Sequence, residues 1–143
     1  QIQLDASNAN IACTSFDNVI KGFETNVTVR DILSTYPYPN TLVVLEVNRK
    51  CLKLALERCA SYFDYNNGDV AISDTFLKPK VEHYNYDYFA NIDYTIDITK
   101  EVGNRVTSIM YNGSELDEDT NLTLAMNNYI GKRSTSDIGI TCI

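Results

Sequence analysis

Two short segments hold the residues best suited to gripping a flat heterocycle: Thr35-Tyr36-Pro37-Tyr38-Pro39-Asn40-Thr41, and Asn127-Asn128-Tyr129 near the other end. Each follows or ends a strongly patterned element, and each presents a tyrosine beside an asparagine. Two aromatic rings facing across a gap can sandwich a nucleobase, with stacking contributing roughly 1–3 kcal/mol per base. A side-chain amide carries both donors and an acceptor, so it can read the base edge. The chemistry implied is recognition, without a catalytic apparatus of its own.

Other groups that could carry chemistry point to bland roles. His83 is the single histidine. Two-metal hydrolysis needs several His and Asp/Glu ligands converging on ions about 3.5–4 Å apart, so His83 is expected to be an exposed loop residue. Asp93 and Asp97 share a strand face about 13 Å apart, too far for a glycosidase pair, whose carboxyls sit at roughly 5–9.5 Å. Asp117-Glu118-Asp119-Thr120-Asn121 suggests a calcium loop, but Leu122 and Asn128 stand where such a loop requires Gly and Glu. A solvated turn is expected there. Lys132 and Arg133 beside Tyr129 could approach a phosphate or form an ordinary solvated surface. No nucleophile-elbow, P-loop or dinucleotide fingerprint occurs. The sequons at Asn26, Asn112 and Asn121 matter only in a eukaryotic secretory setting.

The elements that must position these residues are readable in part. Ile2 to Cys13 is weakly patterned, a strand or irregular lead-in. Thr28 to Asp31 reads as a helix start, with Thr28 capping and Asp31 in the first turn. Pro37 disfavours helix at Tyr36, so that helix must be short. Thr41 to Val47 is a β-rich run. Arg49 to Phe63 places Leu52, Ala55, Leu56, Cys59 and Phe63 on one helical face, and Asp64 to Gly68 is expected to close it as a turn. Residues 69–91 read as a long tyrosine-rich surface loop. Ile92, Tyr94, Ile96 and Ile98 alternate with polar residues as a strand, Arg105 to Tyr111 is another, and Asn112-Gly113 is a strong hairpin signal. Leu122, Leu124 and Met126 mark the last strand. The sum is an α+β domain with a largely antiparallel sheet in its C-terminal half.

The 143 residues suit one domain, 1–143. Hydrophobic residues at 44% and charged residues at 22% are ordinary for a folded soluble chain. A formal net charge of −7 argues against a nucleic-acid polymer as partner, because such binding neutralises many phosphates with Lys and Arg. No apolar run approaches the roughly 20 residues needed to span a bilayer, and no signal peptide stands at the N-terminus. Cysteines stand at 13, 51, 59 and 142. Cys51 and Cys59 lie about 12 Å apart along one helix, beyond disulfide reach. Buried thiols are the base-rate expectation, with a Cys13–Cys142 bridge as the alternative.

The chain resembles the C-terminal domain of the 5′-nucleotidase family, nearest its 2′,3′-cyclic-nucleotide 2′-phosphodiesterase/3′-nucleotidase branch. Val29-Arg30-Asp31-Ile32, Tyr36 to Leu42, Leu56-Glu57, Tyr84-Asn85-Tyr86-Asp87, Asp93 to Thr99, Asn112 to Asp117 and Ala125 to Tyr129 carry the likeness. They occur in the family's order over about residues 28–130. The resemblance implies a four-layer α/β/β/α domain that binds the nucleoside. Tyr38 and Tyr129 would clamp the base and Asn40 would contact its edge, although Asn is also a frequent turn residue. Catalytic residues and metal ligands are expected to be absent from this chain. A separate N-terminal metallophosphoesterase domain would supply divalent metals and the hydrolytic water, so this chain alone should be inactive. A secreted, periplasmic or wall-associated hydrolase of nucleotide catabolism is implied.

Two departures stand out. Ile130-Gly131-Lys132-Arg133-Ser134 replaces the Gly-Gly loop that the family closes on the ribose. Ile11 to Phe23 lacks the glycine-rich segment and phosphate-binding arginine. The alternative reading is a degenerate, non-catalytic interaction domain that retains the fold only.

Overall fold

The computed structural model describes residues 1–15, 17–19 and 22–137, with side chains as far as 132. The chain opens with α1 (Ile2–Ser7) and β1 (Ile11–Ser15), followed by α2 (Val29–Thr35), β2 (Leu42–Asn48) and α3 (Arg49–Ala60). The hairpin β3 (Phe63–Asn66) and β4 (Asp69–Ile72) leads through two 3₁₀ turns, Asp74–Phe76 and His83–Asn85, into β5 (Asp87–Ala90). β6 (Asp93–Ile96), β7 (Val106–Tyr111), β8 (Ser114–Glu115), β9 (Asn121–Asn127) and α4 (Asn128–Asp137) complete it. The α+β class expected from the sequence is observed.

β2-β9-β1-β5 form a mixed sheet, and β6-β7-β8 a second, antiparallel one. β2 and β9 run antiparallel from Leu42↔Asn127 to Asn48↔Asn121. β1 runs parallel to β9, with Ile11 beside Leu124, and antiparallel to β5, with Ser15 opposite Asp87. The core lies on one face of the mixed sheet, where Ile11, Val47, Leu124 and Met126 meet Leu52 and Leu56 of α3 and Ile109 of β7. Leu56 is fully buried, worth about 1.5–3 kcal/mol of transfer free energy. The opposite face offers Ala12 and Ala125, both buried, and α1 crosses β9, β1 and β2. Asn10 ties that layer down: its Oδ1 accepts from the Thr123 N–H and hydroxyl, both at 2.8 Å.

The short second helix has the expected start. Thr28 accepts from Asp31 N–H at 3.3 Å while the Asp31 carboxylate takes the Thr28 N–H at 2.8 Å, a reciprocal capping box. The hairpin at Asn112-Gly113 forms with φ of 51° and 79°, the conformation that selects Asn-Gly.

Four expectations of the secondary structure need correction. The lead-in contains a helix, α1, closed by Asn8 in the left-handed region at φ 54°. α3 stops at Ala60, and Phe63 opens β3 instead of ending the helix. The Asp64 to Gly68 turn is narrower than expected, since Asp64 to Asn66 are strand and only Asn67-Gly68 turns, at φ 52° and 102°. The stretch 69–91 is not one loop but holds β4, two 3₁₀ turns and β5. Cys13 and Cys59 are buried thiols, as expected. Cys51 is disulfide-bonded, which overturns the thiol expectation there, and Cys142 lies outside the described residues.

Candidate functional site

The register of the mixed sheet decides which loops meet. β2 begins where β9 ends, and the pairing continues one residue beyond both strands. Asn128 N–H donates to the Thr41 carbonyl at 2.9 Å, and Thr41 N–H donates to Asn128 Oδ1 at 3.1 Å. Because β1 is parallel to β9 and β5 antiparallel to β1, Ser15 and Asp87 lie at this same end. The segments holding Tyr38 and Asn40, Tyr129, Asp17 and Asn18, and His83 to Tyr86 therefore all emerge there.

Each residue of Asn127-Asn128-Tyr129 has a distinct place. Asn127 Oδ1 accepts from Ile130 N–H at 2.8 Å, the bond of a helix N-cap. Asn128 holds the start of β2. Tyr129, on the first turn of α4, has an exposed ring, 48% accessible. On the other side, Asn40 N–H donates to the Tyr38 carbonyl at 2.8 Å, a three-residue turn centred on Pro39, whose fixed φ suits it. Tyr38 is 69% accessible, and Asn40 is exposed. The three residues expected at the site thus share one sheet end with their side chains open to solvent.

Lysine 80 and Tyr84 join this end, and sequence reasoning missed both. The Lys80 ammonium lies 3.4 Å from the Tyr84 hydroxyl. That contact holds the Lys80 pKa above its ordinary value, with smaller contributions from Glu82 and Tyr129. Val81 is tethered to the loop after β1, its carbonyl accepting from Asn18 Nδ2 at 2.8 Å. No local pattern announces this arrangement; it arises from how the 73–86 segment folds back. Asn128's role had a signal, since polar residues at a strand-to-helix junction are capping candidates.

His83 is half-buried, not the exposed loop residue expected, and its Nδ1 meets the Tyr62 hydroxyl at 2.7 Å. Asp97 is spent on a turn, accepting from Thr99 N–H and Oγ1, bonds that lower its pKa. Asp117 to Thr120 forms a turn closed at 3.2 Å, with Glu118 paired to Arg49. Lys132 is exposed, and the Arg133 side chain lies outside the described residues. Among the described residues, no three His, Cys, Asp or Glu side chains converge as a metal centre requires. Also among them, no helix is long and apolar enough to cross a membrane.

Comparison with known proteins agrees with this architecture. Residues 1–136 match the family described as 5′-nucleotidase, C-terminal domain. The chain is 30% identical over 135 residues to the 2′,3′-cyclic-nucleotide 2′-phosphodiesterase/3′-nucleotidase of Haemophilus influenzae, covering 81% of this chain and 19% of that protein. It is 29% identical over 133 residues to the trifunctional nucleotide phosphoesterase YfkN of Bacillus subtilis, covering 89% of this chain and 8% of that one. A crystal structure of a Staphylococcus aureus protein assigned as a 5′-nucleotidase superposes with a TM-score of 0.88 at 39% identity, over 99% of this chain and 28% of that chain. The chain spans about a fifth or less of the length of these curated relatives. With its fold and the order of its motifs, the chain belongs to the 5′-nucleotidase C-terminal domain family.

Proposed function

We propose that this chain is the nucleoside-binding domain of a nucleotide phosphoesterase of the 2′,3′-cyclic-nucleotide 2′-phosphodiesterase/3′-nucleotidase type. Tyr38 and Tyr129 hold the base between their rings, and Asn40 reads its edge. The observation that carries this reading is the reciprocal Thr41–Asn128 bonding, which draws the two tyrosine segments to one sheet end. Both rings are exposed there, ready to stack on a ligand. The domain contributes to catalysis by orienting the substrate.

Hydrolysis belongs to a separate metallophosphoesterase domain, with its own divalent metals. The residues described here offer no set of ligands for such ions. A disulfide at Cys51 suits an oxidising location such as a periplasm, cell wall or extracellular space.

Titration with adenosine, followed by amide shifts and tyrosine fluorescence, tests the reading. Saturable binding is expected, and Tyr38→Ala and Tyr129→Ala should each weaken it by about 1–3 kcal/mol, roughly 5- to 150-fold. Purified chain with added divalent metal should leave 2′,3′-cyclic AMP and 3′-AMP intact. Turnover that survives metal-site controls would refute the division of labour.

One observation favours the second reading, an interaction domain that keeps the fold without the ligand. The residues after Tyr129 continue as helix α4 through Asp137, so the described residues there form no loop suited to close on a ribose. Absence of adenosine binding at millimolar concentration would select it.

A further inference from the structure

Beside the tyrosine segments lies a separate cavity of about 490 Å³, within the roughly 300–1,000 Å³ of ligand pockets. Neither Tyr38 nor Tyr129 lines it. It is lined by Tyr62, Phe63, Tyr86 and Tyr88 with His83, joined by Asp17 and Asn18 from the loop after β1. That loop is held against the cavity's far segment by the Asn18–Val81 bond of 2.8 Å.

The rings stand at steep angles to one another. Tyr62 and Phe63 meet at 81°, Phe63 and Tyr86 at 80°, and Tyr62 and Tyr86 at 64°, with centroids 5.1–5.8 Å apart. Tyr86 and Tyr88 meet at 67°. None of these four ring pairs is the parallel pair of walls that a flat heterocycle needs. Three mutually steep planes make the corner of a box, which suits a rounded group approached from several sides. Ring faces carry negative quadrupole potential and attract cations.

Charge points the same way. Burial pushes the Tyr86 phenol up to about 12 and raises that of Tyr62, so both remain neutral π-walls at physiological pH. Asp17 supplies a carboxylate, and no lysine or arginine is among the described lining residues. The chain as a whole carries −7. We propose that this aromatic cavity, with Asp17, binds the quaternary ammonium group of a small organic cation. The site is distinct from the nucleoside clamp and does not depend on it.

Choline chloride at constant ionic strength is the probe, read by the ring-proton and amide shifts of the 143-residue chain. The control is the neutral alcohol in which a tert-butyl group replaces the trimethylammonium. Saturable millimolar binding of choline is expected, with the neutral analogue at least about fivefold weaker. Tyr88→Leu, at an exposed position, should weaken choline about fivefold by removing one π-face. Asp17→Asn, at an exposed position, should weaken it also, more at low salt than at high. Tyr38→Ala should leave choline binding unchanged while weakening that of adenosine roughly 5- to 150-fold. Failure of adenosine alone would overturn only the nucleoside reading. No saturable choline shift, equal binding of the neutral analogue, or equal sensitivity to Tyr38→Ala would overturn the cation site.

Discussion

Thr41 and Asn128 exchange two hydrogen bonds, one through the Asn128 backbone at 2.9 Å and one through its side chain at 3.1 Å. The first extends the β2–β9 ladder by one residue. The second replaces the ladder's next backbone acceptor with a side-chain amide, because the chain has already turned into α4. One asparagine thereby ends the sheet, permits the helix and holds the segment that carries Tyr38 beside the segment that carries Tyr129.

Asn128→Ala should therefore act on recognition more than on stability. The lost bond is exposed, so about 0.5–1.5 kcal/mol of folding free energy is at stake. Adenosine affinity should fall by more than that, since the Tyr38 segment loses its anchor. Isothermal titration beside a urea melt measures both. Unchanged affinity with a shifted melt would show that Asn128 is merely structural.

Asn127 should behave in the opposite way. Its side chain caps α4 through Ile130 N–H, and a cap of this kind is worth about 0.5–2 kcal/mol. Asn127→Ala is expected to lower the unfolding free energy from a urea melt by that amount, whereas Asn127→Ser or Asn127→Asp should recover most of it. If the serine and alanine variants melt alike, the capping role is wrong.

Legibility followed how much of each element's logic is local. The capping box at Thr28 and Asp31, the Asn112-Gly113 turn and the alternation before Asn127 are each written in a few neighbouring residues, and each is observed. β3 and β4 were hidden because they have no buried face: their residues are exposed apart from a half-buried Phe63, so no alternation marks them. The Asn67-Gly68 pair was the available clue, masked by its polar flanks. β5, an edge strand of the mixed sheet, begins with Asp87, a buried carboxylate, which breaks the apolar pattern expected at a buried position. The site divides similarly. Tyr38, Asn40 and Tyr129 were visible as motifs, but Lys80 comes near Tyr129 only through the fold of the 73–86 segment.

The most consequential buried carboxylate is Glu57 of α3. It accepts from Arg105 N–H at 3.0 Å and Val106 N–H at 2.7 Å, joining the helix to the first residues of β7. The Arg105 guanidinium meanwhile donates to the Ala60 and Phe63 carbonyls, closing the end of the same helix. Glu57→Ala would leave two buried donors without acceptors, at about 1–3 kcal/mol each. An expected loss of about 2–5 kcal/mol at unchanged urea m-value follows. A loss below about 1 kcal/mol would mean that water replaces the carboxylate, contrary to the 7% accessibility of Glu57.

Glu115 gives a pH test. Arg49 donates to it at 2.9 Å, and that bond, followed by one from Ser108, holds the Glu115 carboxyl below its usual value of 4.5. A carboxylate with a lowered folded-state pKa contributes stability that is complete above the unfolded value and lost as pH falls through the folded one. The urea-midpoint gap between the wild type and Glu115→Gln should thus be full at pH 7 and should close as pH drops below about 4.5. Because Glu115 is exposed, the gap should also shrink in high salt. Asp31 and Asp97 also have lowered pKa values, but they are common to both proteins and cancel in the difference. A gap that stays constant across this pH range would show that Arg49 does not stabilise the folded carboxylate.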